Sequence, residues 1–400
     1  MKGNVRTEGT ETKNGLSLMV GGPGSGKSNG LKWEALLNLE QGKTSIVFDY
    51  VKNGELTEEF LDILPSQLYQ LWDLTKSEDA MGVLCFPEFY QSWEEKTSVE
   101  KIEQLELLID DLTVAFQVLK PKEVQHLNEV EMCYLRLMLK IVFSEKLRGL
   151  ADVYLFLTDA EDIREDYYHQ AIELGVLNKK EIELYDNQDM DWKGVFAFLI
   201  QSLGEMFWEE KTRLMIEYPD KGSIATFNDQ AQLWLIKYPQ STFTFKERVL
   251  MTTFLNVRFM SILRQHRVSK GCKLFYDEVN TLGFDLRYQW AQLIKVASSC
   301  GAEVVMCDHN LEILRPLFET VEKLCPSYMF YGGFLYSKDS QYLASKDLDS
   351  FVQSFFAKAK RQDILKLEYN GIEYRSVSMN YPYFSKENFQ EFLIERVFGL

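Results

Sequence analysis

The chain has 400 residues, of which 46% are hydrophobic and 14% aromatic, a composition typical of globular proteins and long enough for two or three domains. Its 44 basic and 60 acidic residues give a net charge of −16, which argues against a broad nucleic-acid-binding surface. A narrow basic channel, or one formed only in an oligomer, stays open. The cysteines include no C-x-x-C pair and the histidines complete no zinc pattern, so we expect reduced, buried thiols in a cytosolic protein.

No apolar run approaches the roughly 18 residues that a membrane helix needs, and no signal peptide opens the chain. Residues 1–14 are polar and are expected to form a loose leader. We therefore expect a cytoplasmic protein, which could still be peripheral at the inner face of the cell membrane.

Segment 21–28, GGPGSGKS, fits the phosphate-loop pattern G-x-x-x-x-G-K-[ST]. An apolar stretch at 16–20 precedes it, and apolar residues at helical spacing follow it from Asn29 to Leu39, which gives the strand–loop–helix context that the motif requires. The alternative, an ordinary glycine-rich turn, does not explain those flanks. We predict a nucleotide-binding segment made of Gly21, Gly22, Pro23, Gly24, Ser25, Gly26, Lys27, Ser28 and Asn29.

The chemistry of this loop follows from its residue types. Glycines let backbone N–H groups close around phosphates, and the helix N-terminus adds partial positive charge. We expect Lys27 to neutralise the β- and γ-phosphates of ATP and Ser28 to ligate Mg²⁺.

The rest of the chain alternates between α/β and helical patterns. The pattern predicts strands at 43–49, in one or two short runs within 68–90 (LYQLWDL and GVLCF), within 222–245, and at 272–276, 302–307 and 327–331. Helices are predicted at 58–64, several times between 97 and 215, and at 247–264, 286–299 and 385–398. Asn370-Gly371 between two β-like runs predicts a hairpin.

Hydrolysis needs more than a phosphate loop. Asp277 and Glu278 follow an apolar strand, where Asp277 could hold Mg²⁺ through water and Glu278 could polarise the attacking water. Taken alone, an apolar run that ends in Asp-Glu is common and is most often the surface end of a strand. The next strand ends in Asp308, His309 and Asn310. His309 or Asn310 could contact the γ-phosphate, whereas Asp308 or Asn310 could simply cap a following helix.

Together these motifs resemble the HerA–FtsK superfamily of RecA-like ATPases, and more narrowly the ATPases of conjugative type IV secretion systems. The resemblance is carried by GGPGSGKS (21–28), FDYVKNGEL (48–56), FYDEVNTLG (275–283) and EVVMCDHN (303–310). It implies an α/β fold, a RecA-like P-loop core with a mostly parallel sheet and a large helical insertion. The expected parts are core residues 15–96 and 265–380, an insertion at 97–264 and a C-terminal helix within 381–400.

Two departures from the family pattern bear on activity. Family members often carry an arginine shortly before the strand that ends at the sensor, but here 296–301 reads VASSCG, with Arg287 earlier and Arg315 later. They also usually place a glutamine where this chain has His309. Since an arginine supplied to a neighbour's site is worth about 10³–10⁵ in rate, we expect hydrolysis to be slow or to need a partner.

By resemblance, we expect an ATPase with Mg²⁺ and ATP, working as a homo-oligomer (a hexamer) with other components of the secretion system. Within that class, an assembly ATPase and a DNA-pumping coupling protein compete; the acidic charge favours the former and does not indicate DNA as a partner. A nucleotide-gated scaffold that hydrolyses little is the alternative from a different class, and a phage-type packaging ATPase is a third.

Overall fold

The computed structural model describes residues 15–119, 127–158, 161–186, 191–218, 227, 232–265, 270–282, 287–309, 311, 327–331, 363–369 and 374–397. The predicted leader 1–14, Asn310, Arg315 and the Asn370-Gly371 turn lie outside the described residues.

The described strands form one mixed sheet, ordered β3-β4-β2-β5-β6-β1-β7-β8-β9. Their bounds are β1 Leu16–Val20, β2 Ser45–Asp49, β3 Tyr69–Asp73, β4 Leu233–Lys237, β5 Lys273–Tyr276, β6 Glu303–Asp308, β7 Ser327–Tyr331, β8 Ile364–Tyr369 and β9 Tyr374–Met379. The run from β4 to β7 pairs in parallel, and β8 and β9 add antiparallel pairs at one edge. Strands buried along their whole length, such as β1 and β2, are what a parallel sheet covered on both faces requires. The predicted α/β class with a mostly parallel sheet is confirmed.

The helices within the described residues are α1 Lys27–Glu40, α2 Glu55–Ile63, α3 Ser77–Ala80, α4 Ser98–Val118, α5 Glu129–Phe143, α6 Leu150–Thr158, α7 Glu161–Glu173, α8 Lys179–Asp186, α9 Trp192–Val195, α10 Ala197–Trp208, α11 Glu210–Ile216, α12 Phe245–Arg264, α13 Arg287–Cys300 and α14 Lys386–Val397. Short 3₁₀ turns lie at Ser66–Leu68, Trp93–Glu95 and Val279–Leu282. None of the helices in the part of the chain that the structure describes is both long and apolar enough to cross a membrane.

The chain divides into two compact units. The first lies within Met1–Leu71, Asp229–Pro239 and Val268–Leu400, and the second within Trp72–Asn228 and Gln240–Arg267. The first unit holds most of the sheet together with α1, α2, α13 and α14, and the second holds the helices from α3 to α12. These bounds differ from the expected ones: 72–96 belongs with the helices, and β4, inside the expected insertion, pairs with β2 in the sheet.

Of the two runs within 68–90 that predicted one or two strands, LYQLWDL contains β3 and GVLCF does not form a strand. The run GVLCF at 82–86 forms turns, in which the N–H groups of Gly82 and Leu84 bond to carbonyls of Leu214 and Met215 in α11. Apolar content indicated burial correctly, since Phe86 is fully buried, but burial alone does not distinguish a strand from a packed turn.

The second unit is mostly helical, and local sequence motifs mark the N-termini of three of its helices. Three of its helices, α4, α5 and α12, begin at capping boxes, in which the cap side chain and the residue three positions later satisfy each other's backbone N–H groups. Within this unit Arg258 is fully buried and makes two hydrogen bonds to the Glu88 carboxylate, of 2.9 and 2.6 Å. Arg258 also donates to the Val83 carbonyl, at 2.8 Å.

Candidate nucleotide site

The phosphate loop adopts the conformation that its glycines permit. The loop leaves β1 at Val20, and the N–H of Gly21 bonds to the carbonyl of Asp308 at 3.2 Å, which ties the loop to the end of β6. Gly24 has φ +67° and Gly26 has φ +96°, backbone geometry that side chains rarely adopt. Helix α1 begins directly at Lys27, so its first N–H groups point toward the loop.

The Lys27 side chain is hydrogen-bonded to the backbone of its own loop. Its Nζ donates to the carbonyls of Gly21 at 2.7 Å and Gly22 at 3.3 Å. It also lies 3.2 Å from Nδ1 of His309, and since an ammonium has donors only, that ring nitrogen is the acceptor. The side chain is therefore held at the mouth of the loop by three acceptors.

Ser28 and Asp277, 249 residues apart in sequence, are in direct contact. The Ser28 hydroxyl donates to Oδ2 of Asp277 at 2.9 Å. Asp277 follows β5, which pairs with β6, which in turn pairs with β1, so two parallel pairings bring the acid to the edge where the phosphate loop begins. Burial raises the pKa of Asp277, and the hydrogen bond from Ser28 opposes that shift.

Glu278 lies beside this pair in a strained backbone conformation. Its φ is +47°, unusual for a residue with a side chain, and its N–H bonds to Oδ1 of Asp277 at 3.0 Å. The side chain is half-buried and lines the same cleft as Lys27 and Ser28. The hydrogen bond to Asp277 holds the strained backbone of Glu278 in place. Backbone strain of this kind is common at functional sites.

The end of β6 contributes two residues to the site: Asp308 supports the cleft from outside its lining, and His309 is part of the lining. Asp308 is fully buried and accepts the N–H groups of Asn280 at 2.9 Å and His309 at 2.6 Å. Burial raises its pKa to about 6. Asp308 therefore holds the 3₁₀ turn after Glu278 against β6, and His309 projects into the cleft; the sensor prediction for Asn310 falls outside the described residues.

Three charged residues of the cleft, Lys32, Asp49 and Glu59, were not predicted as site residues from the sequence. Lys32 lies one turn after Ser28 on α1, is 4% exposed and forms an ion pair with Glu59 of α2. Burial lowers the pKa of Lys32 to about 8, and the negative charge of Asp277, which raises the pKa, partly offsets that shift. Asp49, at the end of β2, accepts the N–H of Thr57 at 2.7 Å, and burial raises its pKa to about 6. The spacing of four between Ser28 and Lys32 was the available signal.

The segment 48–56 that carried the resemblance forms a turn at the rim of the cleft. Lys52 has φ +45° and Gly54 has φ +80°, and α2 begins directly after Gly54. Val51, Lys52 and Glu55 line the cleft. The turn thus places Glu55, of the motif's Gly-Glu pair, in the lining of the cleft.

The resulting cleft has a volume of about 510 Å³ and contains charges of both signs. Its described lining includes Lys27, Ser28, Asp277, Glu278 and His309, so the structure brings these predicted residues together. None of the described lining residues is an arginine.

Asn29, predicted to bind nucleotide, has its side chain engaged elsewhere. Its Nδ2 donates to the carbonyl of Pro382 at 3.0 Å, and its Oδ1 accepts the N–H of Phe384 at 2.7 Å. The Trp33 indole N–H also donates to the Pro382 carbonyl, at 2.8 Å. Asn29 thus anchors a C-terminal segment beside the phosphate loop, and a nucleotide contact through its backbone stays a prediction.

No family model matches the sequence, and no curated protein matches it either. Among solved structures, VirB4 of Thermoanaerobacter pseudethanolicus matches with a TM-score of 0.59 at 13% identity, over 96% of this chain and 93% of that one. The plasmid coupling protein TrwB, in complex with the non-hydrolysable GTP analogue GDPNP, matches with a TM-score of 0.53 at 13% identity, over 93% of this chain and 86% of that one. The chain therefore has the predicted RecA-like α/β fold, which it shares with VirB4 and TrwB.

Proposed function

We propose that this chain is an Mg²⁺-dependent ATPase of a conjugative type IV secretion system, in the role of the assembly ATPase. The observation that carries the proposal is the 2.9 Å contact between Ser28 Oγ and Asp277 Oδ2 at the end of the phosphate loop. A hydroxyl and a carboxylate in contact beside a lysine and a helix N-terminus form the donor set that suits Mg²⁺ with a triphosphate.

Each residue has a distinct role in this proposal. The N–H groups of the loop and Lys27 hold the phosphates, and Lys27 exchanges its carbonyl partners for phosphate oxygens. Ser28 and Asp277 would hold the ion, which when bound neutralises charge on the β- and γ-phosphates. Glu278 accepts a proton from, or orients, the attacking water at the end of the cleft.

His309 adds a link between the lysine and the end of β6. Since its Nδ1 already accepts from Lys27, a phosphate that draws Lys27 away also frees His309 to contact the γ-phosphate. The lining described here lacks an arginine, so we propose that full turnover requires a charge from a neighbouring subunit of a hexamer or from another component of the system.

The role of assembly ATPase is favoured over that of coupling protein by charge. A net charge of −16 does not suit a protein that holds DNA along an extended surface. Both VirB4 and TrwB share the fold over more than nine-tenths of this chain, so fold alone does not separate the two roles. The scaffold alternative is supported by the same absence of arginine from the described lining.

Measuring the rate of ATP hydrolysis in a single turnover and in the steady state, each with and without DNA, separates these roles. We expect slow turnover that DNA does not stimulate, and a Glu278→Gln variant that binds ATP like the parent but hydrolyses it at least about 100-fold more slowly. Lys27→Ala should abolish binding. DNA-stimulated turnover would favour the coupling role, tight binding without turnover would favour the scaffold, and full ATP affinity in Lys27→Ala would refute the site.

A further inference from the structure

A second cavity, of about 670 Å³, adjoins the phosphate loop on the side of β7. It shares Gly24, Ser25, Gly26, Asn29 and Tyr383 with the charged cleft, so the phosphate loop lines both cavities. The two differ in chemistry. The charged cleft contains lysines and carboxylates, whereas the described lining of the second cavity is uncharged and rich in tyrosine: Gly24, Ser25, Gly26, Asn29, Tyr331, Ile364, Asn380, Tyr381, Pro382 and Tyr383.

One wall of this cavity is formed by the C-terminal segment 381–384. Each residue of the segment makes at least one contact that fixes its position, and these contacts leave the Tyr383 ring uninvolved. The Tyr381 hydroxyl donates to Glu34, the Pro382 carbonyl accepts from Asn29 and Trp33, and the Tyr383 carbonyl accepts from Asn388 at 2.6 Å. The Phe384 ring is buried against Trp33 and Phe60, at centroid distances of 5.6 and 5.4 Å. The backbone is therefore positioned independently of the Tyr383 side chain.

Tyr383 itself is 75% exposed, although Pro382 and Phe384 on either side are held by hydrogen bonds to Asn29. A large aromatic side chain held on a fixed backbone beside a ligand cleft offers a flat face for stacking at little cost in entropy. Tyr383 lines both cavities, so a molecule that occupies the two together lies beside this residue.

Resting on the proposed function, we infer that the uncharged cavity takes the base and ribose of the nucleotide, and that Tyr383 is the residue on which the base stacks. A nucleoside triphosphate has one charged end and one flat heteroaromatic end. The two cavities match these ends, because the cleft is charged, the second cavity is uncharged and rich in tyrosine, and the phosphate loop lines both. The volume lies in the range of small-molecule sites. The stacking contribution to affinity then comes from a residue about 350 positions away from the loop in sequence.

The test compares a ligand that has a base with one that lacks it. Calorimetry would measure binding of Mg²⁺-ATP and of Mg²⁺-tripolyphosphate to the full chain, to Tyr383→Ala and to Tyr383→Phe. We expect Tyr383→Ala to weaken ATP binding about 5- to 100-fold while tripolyphosphate binding stays unchanged, and Tyr383→Phe to bind both like the parent, because stacking needs the ring and not the hydroxyl. Phe245→Ala, at an exposed aromatic on α12, is the matched control.

The outcomes are distinguishable. A parent chain that binds neither ligand overturns the proposed function and the inference with it. If the parent binds tripolyphosphate as tightly as ATP, or Tyr383→Ala weakens both ligands equally, the base does not use this ring and the inference fails while the ATPase proposal stands. Unchanged ATP affinity in Tyr383→Ala also overturns it.

Discussion

Replacing Asp49 by Asn should stabilise the folded chain, and the gain should increase with pH. Asp49 is 2% exposed at the end of β2. Burial raises its pKa from 3.8 to about 6, the nearby charge of Asp277 adds to that shift, and the hydrogen bond from the Thr57 N–H opposes it. An ionised Asp49 is therefore unfavourable in the folded state, and an amide of the same shape avoids the cost.

The sign and size follow from linkage. Between about pH 4 and 6 the folded chain holds a proton on Asp49 that the unfolded chain has released, so this group's contribution to stability falls as pH rises through that window and is constant above it. A shift of about two pKa units corresponds to about 3 kcal/mol. The stability difference between Asp49→Asn and the parent should rise by about that amount from pH 4 to pH 7.5.

Urea unfolding followed by circular dichroism, in EDTA and at several pH values, measures this difference. Any loss of the Thr57 hydrogen bond in the variant gives an offset that is the same at every pH, so the slope is the diagnostic quantity. Asp62→Asn, at an exposed position of α2, is the control and should change stability little. A difference that does not vary with pH, or that shrinks as pH rises, would refute the reasoning.

Three further predictions concern the stability of the folded chain. Gly30→Ala would place a Cβ 1.9 Å from the hydroxyl oxygen of the buried Tyr331, so it should destabilise the chain by about 1–3 kcal/mol in urea unfolding; an unchanged midpoint would contradict the close contact. Glu88→Gln leaves the buried Arg258 without its carboxylate and should cost about 3 kcal/mol or more, and stability like the parent's would show that the pair is not buried. Thr97→Ala removes the cap of α4 and should cost about 1 kcal/mol, with no loss if that helix end is frayed.

The sequence was most informative where the determinants are local. The phosphate loop, its preceding strand and the start of α1 are fixed by neighbouring residues, and the glycines at 24 and 26 adopt the positive φ angles that the motif implies. The acid after β5 could also be placed, because parallel strands bring their carboxyl ends to one edge.

Features that depend on distant packing could not be predicted. The burial of Lys32 depends on Glu59 of α2, and the position of Tyr383 depends on hydrogen bonds from Asn29 and Trp33. The pairing of β4 with β2 likewise joins residues nearly two hundred positions apart, which no periodicity reports. In each case the side chain's own sequence neighbours are uninformative, since the partner that fixes its environment belongs to another element.

The central claim is that Lys27, Ser28 and the acids at 277 and 278 surround a single Mg²⁺–triphosphate. A crystal structure with Mg²⁺ and a non-hydrolysable ATP analogue tests it most directly. We expect the ion on the Ser28 hydroxyl with Asp277 within one water of it, and Lys27 on phosphate oxygens rather than on the carbonyls of Gly21 and Gly22. A nucleotide bound elsewhere, or an Asp277 carboxylate more than about one coordination shell and one water from the ion, would contradict the account.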